Sequence, residues 1–121
     1  MVLTYETQMA KDDYYVIVYK ILAYLYCQLK QDQAIDEQML AYDGKLFKIN
    51  RGYWLYIFEH MIKQGYIEGL CIEKAWGKEP IILGWDSCRI TPDGIAYLID
   101  NSLIEKAKQF LKDIKSITPF I

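Results

Sequence analysis

Three patterned segments follow one another between residues 50 and 100, and their order constrains the fold more than any other feature of the sequence. Within residues 50–65, large apolar side chains recur at the i, i+4, i+7, i+8 spacing that gives a helix one apolar face. These side chains are Trp54, Phe58, Met61 and Ile62. Asn50 offers an N-cap before them and Gly65 a helix end after them. The segment therefore predicts an amphipathic helix.

The next two segments predict a β-hairpin and a second capped helix. Residues 66–74 and 81–90 are apolar runs separated by AWGKEP, which favours two antiparallel strands with a long tip. Gly69 and Gly84 interrupt the runs and indicate bulges. Thr91 and Pro92 then form a helix start, because Thr caps free N–H groups and Pro lacks an N–H to leave unpaired. This helix is expected to reach about Asp100.

The residues before this series predict two further helices. Asp12 or Asp13 offers an N-cap for a helix to about Lys30, whose apolar residues cover most of its circumference. Such a helix must be buried on more than one side, and part of that burial could be against another subunit. Asp36 predicts the N-cap of a short helix, and residues 45–49 are a possible short strand.

The complete order is helix, short helix, possible strand, helix, hairpin, helix, helix. A helix-turn-helix followed directly by a two-stranded wing is a winged helix-turn-helix of the α+β class. We expect residues 1–11 to be an N-terminal arm and residues 12–121 to be a single winged-helix domain. Its last helix, at about residues 103–115, is predicted to begin at a capping box formed by Ser102 and Glu105.

Composition agrees with a folded protein of one domain. The chain has 121 residues, 53% of them hydrophobic, enough for one buried core. No signal peptide is readable, and the most apolar segment, residues 14–27, is interrupted by Lys20 and is too short to span a membrane. Three cysteines without CxxC spacing predict reduced thiols. We therefore expect a cytoplasmic protein with no membrane partner.

Three phrases of the sequence together resemble one known family. They are DDYYVIVYKILAYLY, INRGYWLYIFEHMIKQGYI and ITPDGIAYLIDNSLIEKAKQFLKDI, and they span about residues 11–117. In this order they are similar to the YjcQ-type winged-helix family of Firmicutes and their phages. The resemblance implies a winged-helix fold in a bacterial or prophage cytosolic protein. It carries over no catalytic motif and no mechanism.

The winged-helix order makes double-stranded DNA the first candidate partner. Residues 45–80 hold six basic and four acidic side chains, a net charge of +2, whereas residues 1–44 hold three and seven, a net charge of −4. Cationic side chains would neutralise phosphates or read guanine, a histidine would reach a base edge, and tyrosines would pack on sugar and phosphate. The candidate DNA-binding residues are Arg51, Tyr53, Tyr56, His60 and Lys63 on the helix and Lys74 and Lys78 in the wing.

Acidic neighbours weaken this interpretation, and the alternative is a winged-helix module that binds a protein. Glu59 lies beside the proposed helix face, while Glu73 and Glu79 flank the wing lysines. The many tyrosines also suit protein contacts. Trp76, at the wing tip, is better explained as a cover for the core or a neighbouring subunit than as a DNA contact.

The last helix carries a short heptad-like pattern that predicts either a homodimer or packing within the chain. Its apolar residues alternate at steps of four and three, but over only about two heptads. The candidate dimer-interface residues are Leu103, Ala107, Phe110, Ile114 and Ile117. The other explanation is a helix that lies across the first helix of the same chain.

No residue pattern indicates catalysis, a cofactor or a metal. His60 is the only histidine, and no phosphate-binding loop or nucleophile elbow is present. We therefore predict a protein that is not an enzyme and has no cofactor, no metal site and no catalytic residue. The predicted function is a small DNA-binding transcriptional regulator of bacterial or prophage origin.

Overall fold

A computed structural model describes residues 9–74 and 76–114, which form five α-helices and two short antiparallel strand pairs. The helices are α1 (Tyr14–Gln31), α2 (Glu37–Leu40), α3 (Arg51–Lys63), α4 (Pro92–Asp100) and α5 (Ser102–Asp113). The strands are β1 (Ile67–Glu68), β2 (Cys71–Glu73), β3 (Ile81–Leu83) and β4 (Arg89–Ile90). The two strand pairs together form a ribbon that follows α1 to α3 in the chain. This order confirms the predicted α+β winged-helix architecture, to which α4 and α5 are added.

Helix α1 lies at the centre of the core. From Val16 to Leu25 every side chain except that of Ala23 is buried, and the helix contacts α4, α5 and β4. Burial on several sides is thus confirmed, but the same chain provides it, so α1 does not favour a second subunit. Asp13 occupies the N-cap position, yet its carboxylate accepts the N–H of Ala10 (2.9 Å) instead of a helix amide. The prediction that an aspartate side chain caps α1 is therefore wrong.

The caps of α2 and α3 are confirmed. The Asp36 carboxylate accepts the N–H of Gln38 (3.0 Å), and the Asn50 side-chain oxygen accepts the N–H of Tyr53 (2.8 Å). The possible strand at residues 45–49 is reduced to one bridge between Asp43 and Lys48. Its two apolar residues, Leu46 and Phe47, are both buried although they are adjacent. The loop is held by this burial and not by strand pairing, since the bridge is isolated.

The apolar face of α3 packs against the core as predicted. Trp54, Phe58 and Met61 are buried, whereas Ile62 is only partly covered. The Trp54 indole N–H donates to the Leu40 carbonyl (2.8 Å), which ties α3 to the end of α2. A buried indole N–H needs such a partner, so this bond fixes the rotation of α3 about its axis.

The ribbon consists of two antiparallel strand pairs with an interruption between them. At its base β1 pairs with β4, and farther out β2 pairs with β3. Gly69 and Gly84 both have positive φ (93° and 97°), and a Cβ on Gly84 would lie 2.1 Å from the Gly69 carbonyl oxygen. The strands are interrupted at both glycines, but the interruption is larger than the predicted bulges. It includes residues Trp85–Ser87, which form one 3₁₀ turn.

Helices α4 and α5 close the fold over α1. The Thr91 hydroxyl accepts the N–H of Gly94 (3.0 Å), which confirms the predicted cap of α4. The cap of α5 is Asn101, whose side-chain oxygen accepts the N–H groups of Leu103 and Ile104 (2.9 and 3.1 Å). The predicted Ser102 capping box is therefore wrong by one residue, since the amide oxygen of Asn101 reaches the same free N–H groups.

Candidate functional site

The open side of α3 is a narrow strip. Its exposed residues are Gly52, Tyr56, Glu59 and Lys63, at the i, i+4, i+7, i+11 spacing of one helix face. The Lys63 ammonium lies 3.7 Å from the Glu59 carboxylate, an ion pair of i, i+4 spacing. The two charges offset each other, so this strip adds little net charge to the surface.

Two of the predicted recognition residues are only partly exposed and already have hydrogen-bond partners within the chain. The Tyr53 hydroxyl donates to the backbone carbonyl of Asp12 (2.8 Å), just before α1. Burial, followed by the nearby carboxylates of Asp12 and Asp13, raises the pKa of Tyr53 to about 12. His60 Nδ1 lies 2.8 Å from the Tyr56 carbonyl oxygen of its own helix. Of the predicted helix face, Tyr56 and Lys63 therefore remain the more exposed members.

Arg51 joins α3 to the wing. Its Nη1 lies 3.3 Å from the Glu79 carboxylate, and its Nη2 donates to the Pro80 carbonyl. The Arg51 side chain is 27% exposed, and its guanidinium would have to give up these contacts to neutralise a phosphate. The sequence did not indicate this role, because 28 residues separate Arg51 from Glu79 along the chain.

Trp85 provides a second connection between the ribbon and α3. Its ring stacks on that of Trp54 with centroids 6.1 Å apart, and it meets Phe58 edge-on at 5.5 Å. Its indole N–H donates to the Ile82 carbonyl (3.2 Å). The turn after Gly84 thus folds this aromatic side chain back onto α3. The only signal in the sequence was an aromatic residue next to a glycine within an apolar run.

The tip of the ribbon extends away from the core. Trp76 is 98% exposed, so the expectation that it covers the core is wrong. Whether it meets a neighbouring subunit stays a prediction. Lys74 and Lys78 are exposed on either side of it, and neither forms an ion pair with another residue of the described part of the chain. The tip therefore offers two cations and one aromatic ring to solvent.

The outer face of the ribbon is largely apolar. Ile81 and Leu83 are 45% and 41% exposed, and Cys71, which pairs with Leu83 across the strands, is exposed as well. The inward residue Ile82 is buried. Alternation of this kind places one apolar row in the core and leaves a second in water.

The predicted dimer residues of α5 have the spacing of one helix face, but they differ in exposure. Ala107 is fully buried and Phe110 partly buried, while Leu103 and Ile114 are 38% and 39% exposed. Ile117 lies outside the described residues. The buried residues Ile104, Ala107 and Leu111 belong to a helix that contacts α1 of the same chain. Packing within the chain, the alternative explanation, accounts for these buried residues. The dimer prediction now depends on the exposed residues Leu103 and Ile114.

Metal ligands, thiols and membrane-spanning helices are the remaining features of residues 9–74 and 76–114 that could indicate a function. No three His, Cys, Asp or Glu side chains in these ranges lie close enough to share a metal ion. Cys27, Cys71 and Cys88 are free thiols, and burial raises the pKa of Cys88 to about 12. Among the described helices, none has the length and apolar character needed to cross a membrane.

Comparisons with known proteins agree with the resemblance noted in the sequence. No curated protein and no solved structure matches the chain. A family model described as "YjcQ protein" matches residues 19–117, which include most of α1, all of α2 to α5 and the ribbon. Because this match covers most of the sequence, the chain belongs to the YjcQ family.

Proposed function

We propose that the protein is a winged-helix DNA-binding protein that regulates transcription in a bacterial or prophage setting. The observation that carries the proposal is the double attachment of the ribbon to α3, through Arg51 and through Trp85. The attachment makes the helix and the wing one rigid surface. A winged-helix domain uses such a surface to place a helix in the major groove and a ribbon against the neighbouring backbone.

The exposed residues of this surface suggest a division of roles. Tyr56 and Lys63 lie on the open strip of α3 and would meet the groove, with His60 behind Tyr56 at a ring distance of 4.2 Å. Lys74 and Lys78 at the wing tip would contact phosphates. Arg51 and Tyr53 would position α3 through their bonds to the wing and to Asp12. The proposal describes a cytoplasmic binding protein without cofactor or catalytic residue.

Titration of labelled duplex DNA at increasing salt tests the proposal. Each phosphate that a lysine neutralises contributes about −0.9 to the slope of log K against log salt concentration. We expect the double variant Lys74→Gln, Lys78→Gln to reduce the slope by about two units and Lys63→Gln by about one. The matched control is Lys106→Gln, Lys112→Gln, because these two lysines are exposed on α5, outside α3 and the ribbon.

Arg51 provides a separate check of the attached wing. Arg51→Ala removes both contacts to Glu79 and Pro80, so we expect weaker DNA binding together with faster amide exchange in β2 and β3. Absence of binding to genomic fragments at low salt contradicts the proposal. Equal losses in the wing variant and in the α5 control contradict the assigned surface.

A second candidate function, a protein-interaction module, is favoured by the outer face of the ribbon. Ile81, Leu83 and Trp76 form exposed apolar surface next to a strip of α3 whose charges cancel. Exposed apolar patches commonly mark protein contacts. If DNA binding is absent, we expect Ile81→Lys and Trp76→Ala to abolish recovery of a specific partner, while Lys74→Gln leaves it unchanged.

A further inference from the structure

A cavity of about 310 Å³ lies where the beginning of α1 meets the loop between α2 and α3. Basic side chains dominate its lining. The lysines are Lys11, Lys20, Lys45 and Lys48, and the one carboxylate is that of Asp12. The cavity is separate from the open strip of α3 and from the wing, and none of its lysines has a role in the proposed DNA interface.

Lys20 is an unusual residue at this position because it is a buried cation. Its side chain is only 7% exposed, and its ammonium donates one hydrogen bond, to the Leu46 carbonyl (2.9 Å). An ammonium has three N–H donors, and no carboxylate within residues 9–74 and 76–114 forms an ion pair with this one. A buried charge without a counter-charge is costly, so a bound anion would be stabilising.

Other charged groups lie near Lys20. Burial, followed by repulsion from Lys11, lowers the pKa of Lys20, and a bound anion would offset both effects. Lys45 is exposed and forms an ion pair with Asp36 at 3.9 Å. The first turn of α1 holds no acidic residue, although Asp12 and Asp13 directly precede it. Four lysines thus line the concave space, together with one carboxylate, that of Asp12.

The loop that forms the other wall is rigid. Gly44 packs so closely that an added Cβ would lie 2.2 Å from the Gln38 carbonyl oxygen, and the Lys45 N–H donates to the same oxygen (3.2 Å). Leu46 and Phe47 are buried against the core. The lysines of this loop thus extend from a preformed support, which lowers the entropic cost of binding.

We propose that this cavity binds a small organic phosphate monoester, with the phosphate beside Lys20 and the organic part against Phe47. A monoester carries about two negative charges and several acceptor oxygens, which match converging ammonium groups. The volume lies at the lower end of the range for small-molecule sites, so the organic part must be compact. A phosphodiester within a duplex has two bulky substituents and one charge, which fits this small concave space less well.

Binding of simple probes tests the inference without DNA, so its outcome is independent of the proposed function. Phenyl phosphate, inorganic phosphate and dimethyl phosphate are each titrated at matched ionic strength, with sodium chloride as the blank. Calorimetry gives the dissociation constants, and amide NMR shifts locate the site. We expect phenyl phosphate to bind most tightly and dimethyl phosphate most weakly, with shifts concentrated at Lys11, Asp12 and residues 44–48.

Variants of the lysines identify the group that holds the phosphate. Lys20→Met should weaken phenyl phosphate binding about 10- to 100-fold, the loss expected for one charge-assisted hydrogen bond. Lys48→Gln, at an exposed position, should weaken binding about two- to fivefold and leaves the core intact if Lys20→Met does not fold. The control Lys106→Met on α5 should change the affinity less than about twofold.

Three results would overturn the inference. The first is the absence of saturable binding by phenyl phosphate and by inorganic phosphate. The second is equal affinity in the Lys48→Gln, Lys106→Met and unmodified proteins, which would mean nonspecific attraction to surface lysines. The third is a preference for dimethyl phosphate over phenyl phosphate, which would assign these lysines to a nucleic-acid backbone.

Discussion

Single polar side chains account for the largest differences between the expected and the observed surface. Arg51 and Tyr53 are both predicted to meet DNA, which stays a prediction, and both bond to backbone carbonyls of distant segments, Pro80 and Asp12. Arginine and tyrosine side chains at the start of a helix can donate hydrogen bonds either to DNA or to backbone carbonyls of the same chain. The neighbours that select between the uses lie far along the chain, so the choice is invisible in local sequence.

Tyr53→Phe tests the positioning role of this hydroxyl. Loss of its hydrogen bond to the Asp12 carbonyl should lower the free energy of unfolding by about 0.5–1.5 kcal/mol at neutral pH. The pKa of Tyr53 is raised from 10.0 to about 12, so its contribution is complete below pH 10 and is lost as the pH rises through about 12. Urea unfolding at several pH values should therefore show a difference between the two proteins that shrinks above pH 10.

The control for this experiment is Tyr56→Phe, three residues along the same helix. Tyr56 is more than half exposed, so the change should alter the free energy of unfolding by less than about 0.5 kcal/mol. Equal destabilisation by the two substitutions would show that the Tyr53–Asp12 bond does not anchor α3 to α1.

Most helix caps could be predicted from the sequence, because a cap depends on residues that are close together in the chain. Asp36, Asn50 and Thr91 cap their helices as expected, because a cap joins residues two or three positions apart. The two errors have different causes: the Asp13 carboxylate accepts the Ala10 N–H outside the helix, and Asn101 caps α5 in place of the adjacent Ser102. The ribbon differs in kind, since its interruption depends on the contact of Gly84 with Gly69 across the strands.

Gly94 and Gly52 form a matched pair for testing how α4 is held against the ribbon. Each lies in the first turn of a helix, but a Cβ on Gly94 would lie 2.2 Å from the Tyr66 carbonyl oxygen and 2.8 Å from an Ile90 side-chain carbon. Gly94→Ala should therefore cost about 1–3 kcal/mol. At Gly52 the nearest such atom is 3.5 Å away, so Gly52→Ala should stabilise by about 0.5 kcal/mol.

Denaturant midpoints of both alanine variants measure this difference. Tolerance of Gly94→Ala, with a midpoint equal to that of the unmodified protein, would contradict the close contact between α4 and the base of the ribbon. A lower midpoint for Gly52→Ala would contradict the open space at the start of α3.

Across the chain as a whole, the apolar surface is divided between an enclosed centre and exposed edges. α1 is covered by α4, α5 and β4, which removes one reason to expect a dimer. The exposed apolar residues Leu103 and Ile114 remain on α5. A homodimer, if formed through α5, must therefore use this exposed edge and not the buried Ala107.

Charge substitution on α5 tests the dimer directly. Leu103→Glu alters a partly exposed position, so the folded protein should sediment as a monomer if the unmodified protein is a dimer through this edge. Ala107→Glu places a charge at a fully buried site and should unfold the protein instead. Circular dichroism of each variant separates the two effects. An unchanged oligomeric state in Leu103→Glu, or a monomeric unmodified protein, would contradict the predicted interface.

Local sequence determined the order of helices and ribbon, three of the helix caps and the apolar face of α3. Each of these depends on residues within one or two turns, where periodicity and hydrogen-bonding groups are readable. The family resemblance was readable for the same reason, because it consists of ordered local phrases.

Long-range packing decided which side of α3 is open, what Arg51 and Trp85 contact, and that Trp76 is exposed. It also brought Lys20 and Lys48 to the same cavity, although they are 28 positions apart. The energies that select these arrangements come from burial and from bonds between segments that meet only in the folded chain. A pattern in the sequence records the chemistry of each side chain, but not which of several suitable partners the fold will place beside it.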